Sequence, residues 1–251
     1  MCGRFVVARA TGELTAELDI EQVGDDLPGT SYNVAPTTRI RLVVDAPADE
    51  PVRRLEAAKW GLVPVWAKDE SVAVRAFNAR SETAASKPTF RAAVKQRRGV
   101  IPVDGYYEWH KRADGSKQPY YVHPAGEGSL LFAALYEWWK RPEAPEGQAG
   151  EKGEDAWLLS ATILTRASAT DNLEWLHDRT PLFLDRGDVD EWLDPGIQGD
   201  GELIADFADR ALGVSETLQL RPVGRRVGNV RENDEHLIDE VEPEASAEAA
   251  G

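Results

Sequence analysis

The sequence predicts an α+β fold in which strands outnumber helices. Short runs rich in β-branched and apolar residues, bounded by Gly, Pro or Asp, recur along the chain, whereas helical periodicity is confined to a few segments. The two kinds of segment do not alternate regularly, which disfavours a doubly wound parallel sheet. At 251 residues, with 42% apolar residues, the chain is long enough to bury a sizeable core.

In chain order, β-branched content and bounding turn residues predict six strands. They cover 38–44, 99–103, 119–122, 130–135, 157–164 and 181–184. Apolar residues spaced three and four positions apart predict five helices. These cover 10–18, 87–96, 169–176, 189–193 and 201–212.

Two segments lack the apolar content that a core needs. Residues 141–155 are rich in Pro, Gly and Glu and are expected to form a surface insertion. Residues 239–251 are acidic and Ala-rich and are expected to form a disordered tail. The remainder, 1–238, is expected to form one domain.

The charge is strongly acidic but unevenly distributed. There are 44 acidic and 29 basic residues, and Arg outnumbers Lys by 21 to 8, a composition typical of halophile-like acidic surfaces. A net charge of −15 argues against a nucleic-acid partner in general. However, 75–98 contains seven basic residues and one acid, and 221–231 contains four arginines and no acid. We therefore expect a basic groove on an acidic body.

Several classes of protein are disfavoured. No apolar run approaches the ~18 residues that a membrane span requires, and the first residues do not form a secretory signal. One cysteine disfavours a disulfide framework or a cysteine zinc site, and the four histidines lack zinc-binding spacing. We expect a cytoplasmic, nucleoid-associated protein with no metal and no cofactor.

The single cysteine, Cys2, follows the initiator methionine. If that methionine is removed, Cys2 carries a free α-amine and a thiol on adjacent carbons. These groups titrate near ~8 and ~8.5 in model compounds, so both nucleophiles are expected to be partly available at neutral pH. An amine condenses with an aldehyde, and a thiol so placed closes on the imine to give a thiazolidine. The alternative is an incidental residue on a frayed terminus.

Three polar groups are candidates for supporting chemistry. Asn78 lies in an amide- and hydroxyl-rich block, 77–83, which would otherwise be a helix cap and a solvated turn. Glu108 follows an apolar strand between two aromatic residues, where burial would favour the neutral, proton-donating form. The alternative is an exposed strand-end carboxylate. His177 is a natural proton carrier at neutral pH, although a histidine beside an aspartate is more often structural.

Eight segments of the chain stand out. They are MCGRF at 1–5, YNVAPT at 32–37, WGLVPVWAKD at 60–69, FNARSET at 77–83, KPTFR at 87–91, RRGVIPVDGYYEW at 97–109, ATILT at 161–165 and HDRTP at 177–181. In these segments and their order the chain resembles the SRAP family (SOS response-associated peptidases, also called abasic-site processing proteins). The resemblance covers the chain from the first residue to about Asn229.

The resemblance implies a single α+β domain with a mainly antiparallel, barrel-like β core and peripheral helices. It also implies a basic cleft that receives single-stranded DNA with an abasic site. The Cys2 amine would attack the ring-opened aldehyde of the abasic sugar, and the thiolate would close a thiazolidine, leaving a covalent protein–DNA crosslink. The replication machinery is a candidate partner, and a monomer is expected.

The resemblance also implies residue roles. Asn78 would position Cys2 or the sugar, Glu108 would move protons during ring opening, and His177 would be the second acid–base group. The DNA contacts would come from four further residues, three cations for phosphates and one indole for base stacking. These are Arg80 and Arg179, with Arg4 as the weaker phosphate contact, and Trp66, an indole that would otherwise belong to the core.

Two other functions remain open at this stage. One is a cysteine peptidase that uses Cys2 with Glu108 and His177 to cleave its own N-terminal extension. Because only Met1 precedes Cys2, no propeptide is expected here. The other is a non-covalent single-stranded DNA-binding module in which the cysteine is incidental.

Overall fold

The computed structural model describes residues 2–45, 51–142 and 156–243. Most of the expected insertion and of the expected tail therefore lies outside the described residues. The described part contains fourteen strands. They are β1 (Phe5–Val7), β2 (Gln22–Val23), β3 (Ser31–Val34), β4 (Arg39–Asp45), β5 (Arg53–Trp60), β6 (Asn78–Arg80), β7 (Arg98–Val103), β8 (Gly105–Lys111), β9 (Lys117–Pro124), β10 (Leu130–Lys140), β11 (Trp157–Ala167), β12 (Arg179–Pro181), β13 (Phe183–Leu184) and β14 (Leu218–Pro222).

The same residues contain six α-helices and four short 3₁₀ segments. The helices are α1 (Thr11–Glu17), α2 (Ser81–Ala84), α3 (Arg91–Gln96), α4 (Asp171–Glu174), α5 (Val189–Leu193) and α6 (Gly201–Glu216). The 3₁₀ segments are Glu70–Arg75, Arg186–Asp188, Arg225–Gly228 and Glu235–Ile238. None of the helices in the described part is long and apolar enough to cross a membrane.

Five strands close into a barrel at the centre of the fold. β4 pairs antiparallel with β5 and with β7, β7 pairs antiparallel with β10, and β10 pairs antiparallel with β11. β11 returns to β5 in parallel, with Ser160 beside Lys59, and this pairing completes the ring. Closure leaves the barrel no open edge. The expected single α+β domain with a mainly antiparallel, barrel-like core is confirmed.

A second sheet brings the N-terminus to the barrel. Its strand order is β14-β9-β8-β1-β3, so β1 lies between β3 and β8. Phe5 of β1 pairs with Tyr106 of β8, and β6 adds to β11 in parallel with Asn78 opposite Ile163. These two pairings place the start of the chain, the middle of β8 and the start of β6 in one region.

Buried aromatic side chains join the two sheets. The Phe5 ring lies 4.7 Å from the Trp60 ring and 6.2 Å from the Phe132 ring, measured between centroids. Tyr106 packs on Phe132 and Phe183 from the other side. All five side chains are buried, and aromatic pairs of this geometry stabilise a core beyond their buried area. These aromatic contacts hold β1, and with it the preceding residues, against the barrel.

Two arginines of the basic stretch 75–98 do not contribute to an exposed groove. Arg98 is buried, and its guanidinium donates to backbone carbonyl groups, among them Trp192 O at 2.7 Å and Asp194 O at 2.6 Å. Arg97 pairs with the buried carboxylate of Glu137 at 2.8 Å. A buried arginine is costly unless its donors are satisfied. Arg98 thus joins α3 to the segment that follows α5, and Arg97 joins the end of α3 to β10. The expected groove is therefore less basic than the residue count indicates.

Candidate active site

Backbone pairing holds Cys2 against the middle of β8. The Tyr107 N–H donates to the Arg4 carbonyl oxygen at 2.9 Å, in register with the Phe5–Tyr106 pair. Cys2 immediately precedes this ladder and has 0% of its surface exposed. It is therefore not a frayed terminal residue.

Asn78 contacts Cys2 directly. It begins β6, and its side-chain amide Nδ2 donates to the Cys2 carbonyl oxygen at 2.7 Å. Its Oδ1 is buried and has no hydrogen-bond partner among the described residues. An acceptor without a partner in a buried position is costly. Asn78 therefore presents an unused acceptor beside Cys2, suited to an amine N–H or to a sugar hydroxyl.

Glu108 and Tyr106 extend from the same face of β8, because side chains alternate along a strand. Glu108 is 5% exposed, which agrees with the expected burial and contradicts an exposed strand-end carboxylate. Burial, with the negative charge of Glu108 adding to it, raises the pKa of the Cys2 thiol. Burial likewise raises the pKa of Tyr106, with contributions from Cys2 and Glu108. The three groups are thus electrostatically coupled.

The raised pKa corrects one expectation from the sequence. A thiol that is partly ionised at neutral pH requires solvent or a nearby cation. Here Cys2 is enclosed by the apolar core and faces a carboxylate, so its thiol stays protonated in this fold. A buried neutral thiol can still react when an electrophile lies beside it and a base removes its proton.

His177 lies on the same side of the molecule as Glu108. The two side chains line one open pocket together with Trp109, Lys111, Lys117 and Leu176. The Arg179 backbone N–H donates to His177 Nδ1 at 3.0 Å, and Asp178 Oδ1 lies 2.7 Å from the same nitrogen. Nδ1 must be unprotonated for the first contact and protonated for the second. The Nδ1 atom thus lies beside both a donor and an acceptor.

Arg179 and Arg4, two of the expected phosphate contacts, are engaged within the protein. Arg179 is buried and forms two contacts with Glu82, Nη1–Oε1 at 3.1 Å and Nη2–Oε2 at 3.0 Å. Arg4 donates to Asn33 Oδ1 and to Val227 O, each at 2.8 Å. For either guanidinium to contact a phosphate, part of these contacts must be exchanged. Their phosphate roles stay predictions.

Arg80 and Trp66 are accessible. Arg80 is exposed and has no ion pair within the described ranges. Trp66 is 58% exposed, and its Nε1 lies 3.4 Å from the Pro88 carbonyl oxygen. An indole exposed to this extent is not a core residue. Both side chains are therefore free to meet a ligand that lies along the surface.

The structure also identifies two residues that were missed in the sequence. Tyr106 lies beside Cys2 and Glu108, and the two-residue period of a strand through 105–109 is a signal that could have found it. Thr165 accepts from Arg179 Nη2 through its carbonyl oxygen at 2.6 Å, and only the fold brings these residues together. Within the described ranges, no group of three or more His, Cys, Asp or Glu side chains is arranged to hold a metal ion.

Comparison with known proteins adds independent evidence. Residues 1–230 match the model of the SOS response associated peptidase (SRAP) family. The chain is 34% identical over 198 residues to the abasic site processing protein YoqW of Bacillus subtilis, covering 78% of this chain and 81% of that protein. It is 30% identical over 245 residues to the abasic site processing protein YedK of Escherichia coli, covering 96% and 100%. The Xenopus tropicalis protein HMCES, named in the same way, is 30% identical over 230 residues, covering 81% and 64%.

Solved structures support the fold. A crystal structure of a protein from Bacteroides thetaiotaomicron superimposes with a TM-score of 0.75, covering 96% of this chain and all of that one (100%), at 20% identity. Identity at this level establishes the architecture alone. With the family match over residues 1–230 and relatives of this identity and coverage, the chain belongs to the SOS response associated peptidase (SRAP) family.

Proposed function

We propose that this protein processes abasic sites in single-stranded DNA by forming a covalent bond to them through Cys2. The relatives named abasic site processing proteins support the substrate. The observation that carries the assignment to Cys2 is its contact with Asn78, whose Nδ2 lies 2.7 Å from the Cys2 carbonyl oxygen. That contact holds residue 2 in place, and Glu108, our proposed proton-transfer group, is near enough to influence its thiol.

The reaction requires that residue 1 be removed, so that the Cys2 nitrogen is an amine. The abasic deoxyribose opens from its hemiacetal to the aldehyde, and the amine adds to C1′. Loss of one water gives an imine. The thiol sulfur then adds to the imine carbon while a proton moves to the nitrogen, closing a thiazolidine. One water leaves in total, and no metal or redox partner is involved.

The side chains divide the proton transfers. Glu108 takes the hydroxyl proton of the hemiacetal and passes it to the ring oxygen during opening, and it later accepts the thiol proton, since it is the carboxylate that acts on the Cys2 thiol. His177, which lines the same pocket, assists the loss of water. Asn78 Oδ1, a buried acceptor, orients the amine. Because the thiol is protonated in the resting protein, the amine reacts first and the sulfur second.

The DNA would approach along the exposed side chains near this site. Arg80 is the cation most ready to contact a flanking phosphate, and Trp66 offers its ring to a neighbouring base. Arg179 and Arg4 join after exchange of their internal partners. An abasic sugar has no base to read, so sequence preference is low. Such a substrate places the protein with the nucleoid in the cytoplasm, and the replication machinery is the partner we propose.

A cysteine peptidase is the weaker proposal. Its nucleophile is a thiolate, which a low thiol pKa provides. In this fold, burial and Glu108 shift the pKa of Cys2 in the opposite direction. An imine-forming amine followed by a neutral thiol agrees better with this environment.

Denaturing electrophoresis with an abasic single-stranded oligonucleotide tests the proposal. The wild-type protein is expected to form an adduct that survives detergent and heat. Cys2→Ala is expected to give no stable adduct, and Cys2→Ser an imine that is retained only after borohydride reduction. Intact mass of the active protein is expected to lack residue 1. A stable wild-type-like adduct from Cys2→Ala, or full activity with residue 1 retained, would exclude this mechanism.

A further inference from the structure

Two lysines face each other at the end of the β8–β9 hairpin. Lys111 is directly opposite Lys117 in the antiparallel register. Side chains so placed have Cβ atoms about 5 Å apart, and like charges in this position repel. Both lysines are exposed, and neither forms an ion pair or a hydrogen bond with any residue that the structure describes.

Arg39 and Lys59 also face each other across β4 and β5, but each of them has an acidic partner. Acidic residues outnumber basic ones by 44 to 29, and many cations have acidic partners. Lys59 pairs with Glu70 at 2.5 Å, and Arg53 pairs with Asp45 at 3.0 Å. With acids in excess, a neutralising partner at the hairpin would be easy to supply. The uncompensated pair therefore favours an external anion.

The position of the pair indicates which anion. Lys111 and Lys117 line the open pocket that also contains Glu108, Trp109, Leu176 and His177. Lys111 is three residues beyond Glu108 on the same strand, which corresponds to about 10 Å. Side chains alternate along a strand, so Lys111 leaves β8 from the face opposite to Glu108 although both line this pocket. We therefore expect the two lysines to meet the backbone beside the reacting sugar and not the sugar itself.

We propose that Lys111 and Lys117 together bind one backbone phosphate of single-stranded DNA, next to the abasic nucleotide. This inference rests on the proposed function, because the DNA position is defined by Glu108 and Cys2. Each ammonium acts as a point charge with three rotatable donors, so two opposed lysines can share a phosphate without the fixed geometry of an arginine. The phosphate removes their repulsion when it binds.

The test measures equilibrium binding rather than chemistry. The probe is a single-stranded oligonucleotide with one tetrahydrofuran residue, an abasic analogue that has no aldehyde and forms no adduct. Lys111→Gln, Lys117→Gln and the double variant are compared with Lys140→Gln, which removes an exposed lysine from the barrel wall outside this pocket. Because the two lysines share one phosphate, the double variant is expected to flatten the log-affinity against log-salt slope by about 0.7, and each single substitution by part of that amount.

The double variant gives the largest expected change in salt dependence. A loss of about 0.7 in slope makes the ratio of wild-type to double-variant affinity shrink about 2.6-fold between 50 and 200 mM salt. Lys140→Gln is expected to leave the slope unchanged. Because both hairpin lysines are exposed and repel each other, melting temperatures are expected to be equal to or above the wild-type value, which controls for misfolding.

A single neutral linkage identifies the phosphate. A methylphosphonate is moved along the oligonucleotide one position at a time. At one position beside the tetrahydrofuran residue, neutralising the phosphate is expected to weaken DNA binding by the wild-type protein. Binding by the double variant is expected to stay the same. Equal losses in both proteins at every position would contradict a shared lysine–phosphate contact.

Crosslinking to true abasic DNA separates this inference from the function on which it rests. The double variant is expected to need more abasic DNA than Lys140→Gln to reach half of its maximal crosslinking rate. If the wild type crosslinks and the lysine variants bind with unchanged slopes, the subsite is wrong and the function stands. If the wild type forms no crosslink but its analogue binding shows the lysine-dependent slope, the subsite stands and the covalent function is wrong. A wild type that neither binds nor crosslinks would exclude both.

Discussion

The side-chain amide of Asn78 donates a hydrogen bond to the carbonyl oxygen of Cys2 at 2.7 Å, across 76 residues of sequence. This bond attaches the start of the chain to β6, which is itself paired with the barrel strand β11. A terminal residue is otherwise free to move. Here its carbonyl group is held, so the adjacent nitrogen and thiol have a defined position relative to Glu108.

Changing Asn78 is expected to slow the reaction by loosening this position. Asn78→Ala removes both the donor and the unused acceptor, whereas Asn78→Asp keeps an acceptor and loses the donor. Losing one hydrogen bond of about 1 kcal/mol lowers a rate roughly fivefold. We therefore expect Asn78→Asp to slow crosslinking about fivefold and Asn78→Ala to slow it further. Single-turnover crosslinking at saturating DNA measures the effect. Equal, wild-type rates in both variants would show that Asn78 is only a structural contact.

Glu108→Gln is expected to slow adduct formation by about 10²-fold or more, the usual scale for losing a general acid. Glutamine keeps the shape and the hydrogen-bonding capacity but cannot donate the exchangeable proton. Binding to the tetrahydrofuran oligonucleotide is expected to hardly change. Release of a preformed crosslink, which needs the reverse proton transfer, is expected to slow as well.

His177→Ala is the matched comparison for Glu108→Gln, because both residues line the same pocket. Its loss in crosslinking rate is expected to be smaller. A Glu108→Gln variant that crosslinks normally but binds DNA poorly would identify the carboxylate as a binding or structural group. In that case the proton donor would have to be sought among the remaining residues of the pocket.

The sequence predicted the longest elements well, since strong patterns persist through the fold. The helix expected at 201–212 is α6, which continues to Glu216, and the strand expected at 157–164 is β11, which continues to Ala167. Strand 130–135 continues through Lys140 as β10, because its later half pairs with β11 along the barrel wall. These predictions depended on the pattern of apolar residues in each segment.

The strands that build the site were not predicted. β1 and β6 have three residues each, too few for a periodic signal, and they form only because longer strands lie beside them. β8 contains Glu108 and His110 within an aromatic run, which obscures the alternation of a strand. The residue types of the site were therefore recognisable, whereas the contacts of Arg179 with Glu82 and of Asn78 with Cys2 required the fold.

Replacing Arg80 and replacing Arg179 are expected to change the stability of the protein by different amounts, although both residues are proposed phosphate contacts. Arg80 is exposed, so Arg80→Ala is expected to flatten the salt slope by about 0.7 and to leave the melting temperature unchanged. Arg179→Ala removes a buried guanidinium from Glu82 and Thr165, which is expected to cost about 2 kcal/mol, since Glu82 remains partly solvated. Thermal unfolding measures the change in stability, and salt-dependent binding measures the change in slope. An unchanged slope in Arg80→Ala would show that it does not contact phosphate.

The raised pKa of the Cys2 thiol predicts a loss of stability at alkaline pH. The cause is burial first and the charge of Glu108 second, and in an unfolded chain the thiol titrates near ~8.5. Below ~8.5 the thiol is protonated in both states, so the full stability is present. Above it the unfolded chain loses the proton while the folded protein keeps it, so the unfolded state is favoured by about 1.4 kcal/mol for each further pH unit.

Cys2→Ser is the matched variant, because serine has nearly the same shape and does not ionise in this range. The free energy of unfolding of the wild type, minus that of Cys2→Ser, is expected to be constant from pH 6 to 8 and to fall by about 1 kcal/mol between pH 8.5 and 9.5. The buried tyrosines with raised pKa values also reduce stability at higher pH, but they are common to both proteins and cancel. Denaturant titrations across this range give the difference directly. A flat difference would mean that the thiol ionises equally in the folded and unfolded states, and the amine-first order of the crosslinking reaction would lose its physical basis.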